Sequence, residues 1–296
     1  MKKSTWIFIL IAFGLSWLLA AIFFLAGGKY NSTGGLIIAT AYMFCPLIAA
    51  LVVQKFYLKE KIATPLGMKF NFNFWWAIGW LGIPVIMFIV LGFSLFHPGI
   101  RFSVSMEGMI DRFSDAMDPQ KLELMKAQVI NSPGLVILQS LVSAIIAGAT
   151  INAIAGFGEE AGWRGFLQKE LIEFGFWPSS LLIGVIWGFW HAPLILAGHN
   201  FPDHPVAGVF MMTVAGTLLG PLVSYIRLRA KSVFAASVMH GTINASYGFT
   251  IMFTVGGNDL TTGLFGLPGL FTMLVLNLII FVGDKEIRQL KEINDQ

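Results

Sequence analysis

Charge is scarce in this chain. Asp, Glu, Lys and Arg make up 12% of its 296 residues against 56% hydrophobic, and the mean hydropathy is +0.76. A soluble domain carries about twice that share of charge, so the composition excludes an ordinary soluble protein and makes the bilayer the solvent. Cysteine is nearly absent: Cys45 is the one example and lies in an apolar run. That removes a disulfide framework, a Cys-based metal site and thiol chemistry. The net charge is only +3, and no basic run is long enough or interleaved enough with aromatics to bind nucleic acid. Missing as well are an internal repeat, a flexible linker and a His-Glu-x-x-His motif. A single integral membrane domain over 1–296 is the expectation.

What fills the sequence is apolar length. About 20 apolar residues cross the hydrocarbon core as a helix, and that ruler marks about eight spans, near 5–26, 35–54, 74–96, 134–157, 178–197, 207–226, 233–253 and 264–282. The alternating strands of a barrel are absent, so the predicted fold class is all-α, a polytopic membrane helix bundle. The basic N-terminus imitates a signal peptide. Its apolar run from Ser4 to Ala26 is longer than a typical signal core, so an uncleaved first span is expected. Cations then set the orientation. Lys2 and Lys3, then Lys55, Lys59, Lys61 and Lys69, then Arg227, Arg229 and Lys231, and finally Lys285, Arg288 and Lys291 all fall on one side of an eight-span chain. Both termini are predicted to be cytoplasmic.

The third connection, about 97–133, is the long one and is expected to be extracytoplasmic. It sets Arg101, Arg112, Lys121 and Lys126 against Glu107, Asp111, Asp115, Asp118 and Glu123. Met106 to Val129 reads as one or two amphipathic helices, a solvated cap in the plain reading and a lid over a site in the other. Gly165 to Phe176 mixes apolar and charged residues as an interfacial helix does. In the fifth connection His199, Asp203 and His204 form a polar cluster, read as loop chemistry in preference to a metal site.

Ionised groups in a lipid-soluble run are expensive and call for a reason. Glu159, Glu160 and Arg164 stand at the end of the fourth apolar segment. In a helix Glu160 and Arg164 share a face and can pair, while Glu159, rotated about 100°, is free to project into a pocket as a general base. Helix capping is the plain alternative. His191 lies inside the fifth span, where Pro193 should break the helix. His240 and Asn244, four apart in the seventh, can aim two donors at one spot, either to stabilise an oxyanion or simply to join helices. Taken together they offer a carboxylate to activate water, an imidazole to assist, and donors for a tetrahedral oxyanion, which is what amide hydrolysis needs. Depth raises a difficulty. At 1.5 Å per residue, His240 lies roughly 10 Å into its span and His191 roughly 20 Å into its own, so the two have to converge.

The three motifs, Glu159-Glu160-x-x-x-Arg164, Trp187-x-x-x-His191 and His240-x-x-x-Asn244, resemble those of the CPBP family of intramembrane endopeptidases. That family includes the type II CAAX prenyl proteases and bacteriocin-processing and self-immunity proteins. The resemblance covers about 159–244, and the catalytic region is expected within about 133–253. It departs from the family at Trp187, where phenylalanine is usual, an exchange expected to reshape the pocket without removing a reactive group. The resemblance implies Glu159 as the base, His191 assisting, His240 and Asn244 at the oxyanion, and Glu160 with Arg164 supporting the architecture or binding substrate. It also implies a membrane-embedded or lipid-anchored substrate, which for the CAAX type is prenylated, met within the lipid. No cofactor is favoured. Glu159, His191 and His240 form the ligand set if zinc takes part. Two other readings stay open, a non-catalytic immunity or secretion partner and a small proton-coupled transporter. The expected location is the cytoplasmic membrane of a prokaryote.

Overall fold

The computed structural model describes residues 1–113 and 119–293, so Asp115 and Asp118 of the third connection lie outside the described residues. Its helices are α1 (Lys3–Leu25), α2 (Thr33–Val52), α3 (Phe74–Ser94), α4 (Glu107–Phe113), α5 (Pro119–Asn131), α6 (Pro133–Ala149), α7 (Ile151–Glu160), α8 (Gln168–Leu171), α9 (Phe176–Trp190), α10 (Ala192–Leu196), α11 (Pro205–Ala230), α12 (Val233–Ser246), α13 (Phe249–Met252), α14 (Leu267–Gly283) and α15 (Lys285–Gln289). Two-residue strands β1 (Arg101–Phe102) and β2 (Thr254–Val255) pair antiparallel. Among its described residues the third connection holds two helices and a strand.

The bundle is apolar outside and polar within. Leu10, Leu18, Ile37, Phe210 and Ile279 are exposed, whereas Glu159, Glu160, Arg164, Gln168 and Glu170 are buried. Such an apolar exterior belongs in lipid, not water, and the chain is an integral membrane protein. Among the described residues five helices are long and apolar enough to cross a membrane, and six if a pair bent by 45° counts as one span. That bent pair is Pro133–Ala149 with Ile151–Phe174. The seventh and eighth expected spans are shorter: α12 has 14 residues before α13 follows, and α14 has 17.

The connections gather at two ends. At one end Lys2 meets Glu170 at 3.8 Å and Lys169 meets Glu60 at 2.8 Å. At the same end Arg229 pairs with Asp284 and Glu286, and the Val233 amide donates to the Gly67 carbonyl. These are the cation-rich connections. The other connections meet at the opposite end, where Tyr30 bonds His199, β1 pairs β2, and Asp259 accepts from the backbone amides of Asp203 and His204.

Two glycine seams set how closely the helices pack. Between α9 and α11, a Cβ on Gly184 would overlap the Gly216 carbonyl oxygen, and one on Gly188 would lie 2.6 Å from that of Met212. Backbones meet directly there, as small residues permit in lipid. At Thr150 the backbone leaves helical geometry (φ −119°, ψ −101°), and α12 lies in the elbow so made between α6 and α7. A Cβ on Gly241 would overlap the Gly148 carbonyl oxygen and meet the Ala153 nitrogen at 2.5 Å.

The fourth span corrects the sequence reading. Its apolar run breaks at Thr150, and the helical path resumes through α7, a π-helical stretch Ala161–Leu167 and α8. Glu159 is therefore not at the end of a span but near the middle of Ile151–Phe174. Within Gly165 to Phe176, Phe166, Leu167, Gln168 and Leu171 are fully buried against the bundle. An apolar stretch on each side of Thr150 hides the break from any hydropathy ruler.

Candidate active site

The elbow brings α12 against α7, and this contact places His240 beside the paired carboxylates. Glu159, Glu160 and Arg164 are 2%, 0% and 0% exposed. Arg164 Nη1 donates to Glu160 Oε1 at 3.1 Å, one helical turn away, and the same oxygen accepts from His240 Nδ1 at 2.7 Å. Buried charges persist only when paired and hydrogen-bonded, and here one carboxylate serves both a cation and an imidazole. With Nδ1–H committed to Glu160, His240 turns Nε2 toward Glu159, 4.0 Å from its Oε1.

Glu159 faces the other way, into a cavity of about 220 Å3. Trp187, His191, His240 and Asn244 line the same space. Trp187 Nε1 donates to Glu159 Oε2 at 2.6 Å. The helix of Trp187 stops just beyond it, since Pro193 cannot continue the backbone ladder. His191 sits at the joint between α9 and α10 and bonds the Trp187 carbonyl through Nδ1 at 2.8 Å. A carbonyl accepts only, so Nδ1 carries the proton and a neutral His191 presents Nε2 as an acceptor. Asn244, one turn beyond His240, is exposed. His191 and His240 do converge, since both border this cavity.

Arg164 lies over the Trp187 ring, 4.6 Å from its centroid, at cation–π distance. The structure thus brings together all seven residues singled out in the sequence. It also corrects the reading of His199. That residue leaves the cluster with Asp203 and His204 and lines the cavity, its ring parallel to that of His191 at 6.3 Å and its Nδ1 bonded to the Tyr30 hydroxyl. Asp203 and His204 are held instead by Asp259. The cause is local: Gly198 (φ +99°) and Asn200 (φ +59°) adopt left-handed backbone and fold His199 back. Tyr42, whose hydroxyl donates to the Trp190 carbonyl at 2.6 Å, is a second lining residue that nothing in its apolar run announces.

The arrangement offers a held carboxylate, an acceptor nitrogen and an amide around one pocket. Among the described residues no group of three or more His, Cys, Asp or Glu side chains is placed to hold a metal ion. Glu159, His191 and His240 border one cavity, but His240 Nε2 is drawn toward a carboxylate and Glu159 Oε2 is engaged by an indole.

Residues 134–246 match the family model of the Rce1-like type II CAAX prenyl endopeptidases. A relative described as CAAX prenyl protease 2, from Methanococcus maripaludis, is 27% identical over 101 residues, 31% of this chain. The aligned stretch spans 36% of that relative's length. The matched segment holds all three motifs in order, from the start of α6 to the end of α12. Over those residues the chain is similar to the Rce1-like type II CAAX prenyl endopeptidases, the group within the CPBP family that its three motifs resemble.

Proposed function

We propose that this protein is an intramembrane endopeptidase using Glu159 as its base, on a membrane-embedded or lipid-anchored peptide of the CAAX type. The observation that carries the reading is the Glu159 carboxylate held between the Trp187 indole and His240, in a cavity that also receives His191 and Asn244. Glu159 Oε1 takes a proton from water, His191 Nε2 orients that water, and the hydroxide adds to the scissile carbonyl carbon. The carbonyl oxygen becomes an oxyanion that accepts from the Asn244 amide and from Nε2–H of His240, whose ring carries both protons from the outset, with Nδ1–H on Glu160, and gives up neither. Collapse reforms the carbonyl and breaks the C–N bond, and the proton held by Glu159 passes to the departing amine. The products are a carboxylic acid and an amine, which pass one proton between them to become a carboxylate and an ammonium, and no electrons change hands. In this reading no metal is required, and Glu160 with Arg164 holds His240. The cation-rich end, with both termini, faces the cytoplasm.

The test is cleavage of a prenylated CAAX peptide and of an unbiased peptide library by protein in nanodiscs, with Glu159→Gln as control. The variant is expected to lose about 10²- to 10⁴-fold in kcat, the range ascribed to a positioned base, while a chelator leaves the wild type unaffected. Activity lost to the chelator and restored by zinc would replace the glutamate mechanism with a metal one. Folded wild type that cleaves no peptide would leave a binding role.

A further inference from the structure

Trp187 touches four other members of the site. Its Nε1–H donates to Glu159 Oε2, its ring carries the Arg164 guanidinium, its backbone carbonyl orients His191, and its ring edge meets His240 with centroids 5.5 Å apart. It is 3% exposed. A phenylalanine at this position could offer the ring face, the ring edge and the carbonyl, but has no N–H. The exchange, expected from the sequence to reshape the pocket without removing a reactive group, adds one hydrogen bond, and that bond ends on the proposed base.

Resting on the peptidase reading above, we infer that Trp187 is a positioning residue that fixes which oxygen of Glu159 acts. A carboxylate has two equivalent oxygens and turns about its last side-chain bond with little hindrance. The indole bond, at 2.6 Å and to a carboxylate, belongs to the short charge-assisted class. It occupies Oε2 and stops that rotation, leaving Oε1 turned toward His240 and the water it would deprotonate. The direction of the base is thus set before substrate arrives, which is the condition for a positioned group to be effective. Arg164 over the ring and the tight α9–α11 seam hold the indole itself in place.

The test separates the N–H from the ring. Trp187→Phe is compared with protein carrying a benzothienyl analogue of tryptophan at position 187, in which sulfur replaces the N–H and the bicyclic shape is kept. Both are expected to lose about 10- to 100-fold in kcat, from loss of one hydrogen bond to a charged group, with KM unchanged. The contact is also read without turnover. In protein labelled with ¹⁵N at the indoles, the Trp187 proton resonance, identified by its absence from Trp187→Phe, is expected far downfield. It should move upfield in Glu159→Ala. Wild-type kcat in the analogue, or a Trp187 resonance indifferent to Glu159→Ala, would overturn the inference. If no peptide is cleaved at all, the peptidase reading fails while the indole resonance still decides the contact.

Discussion

At the scale of single residues, His199 shows how a side chain enters a site without any motif. Burial pushes its imidazole from 6.5 down to about 4. Folded protein thus keeps it neutral where the unfolded chain charges it. Its contribution to stability is fully present above about pH 6.5 and is lost as the pH falls toward 4. Glu60, at the cation-rich end, is held below the usual carboxylate range first by its hydrogen bond from Lys169. Its contribution is present above its unfolded value and disappears at lower pH. Melting in nanodiscs should therefore fall between pH 7 and pH 4.5 through His199, with the part due to Glu60 following below about pH 4.5, and His199→Gln should flatten the first fall and leave the second. An equal slope in wild type and variant would deny His199 this role. Glu159, Glu160, Arg164, His191, His240 and Asn244 were legible because charge and amide stand out in apolar runs. His199 was not, since two left-handed residues place it, and backbone reversal leaves no periodic trace. Trp187 was legible as an aromatic, but its N–H has meaning only beside Glu159.

Among the elements, the break at Thr150 and the glycine seams are what the hydropathy pattern could not give. Positions of apolar helices come through well, since length is the whole signal: α1, α2, α3 and α11 fall close to the expected limits, and α9 with α10 covers the fifth span. Nothing in a run such as Leu141 to Phe157 reports a 45° bend between equally apolar halves. Yet that bend moves the carboxylates from the rim to mid-bundle and gives α12 its place. Its energetics can be tested at Gly241, where an added methyl has backbone on two sides. Gly241→Ala should cost about 1–3 kcal/mol by overpacking, and by spreading α12 from α7 should lower kcat through a longer Glu160–His240 contact. Gly82, with open space around its Cβ position, is the control: Gly82→Ala should leave both stability and turnover near wild type. Equal behaviour of the two variants would mean that the elbow tolerates expansion.

Considered whole, the molecule sorts its connections into two ends, one rich in Lys and Arg and one held by Tyr30, β1, β2 and Asp259. That sorting was legible in the sequence, because the Lys- and Arg-rich stretches recur in alternate connections between its apolar runs. Which end faces the cytoplasm rests on the excess of cations. Asn31, beside Tyr30, is exposed. In a Cys45→Ala background, Asn31→Cys should react with an impermeant maleimide on intact cells, and Lys291→Cys only after the membrane is opened; the reverse pattern would invert the molecule. The α9–α11 seam, finally, bears on how this protein would tolerate change. Where two backbones touch, every side chain is an insertion, so Gly184 and Gly216 admit as little variety as a reacting group does. A variant library ranked only by substrate processing would place them beside Glu159. Ranked also by abundance in the membrane, the glycine variants would fall from both scores, and Glu159→Gln would fall from one.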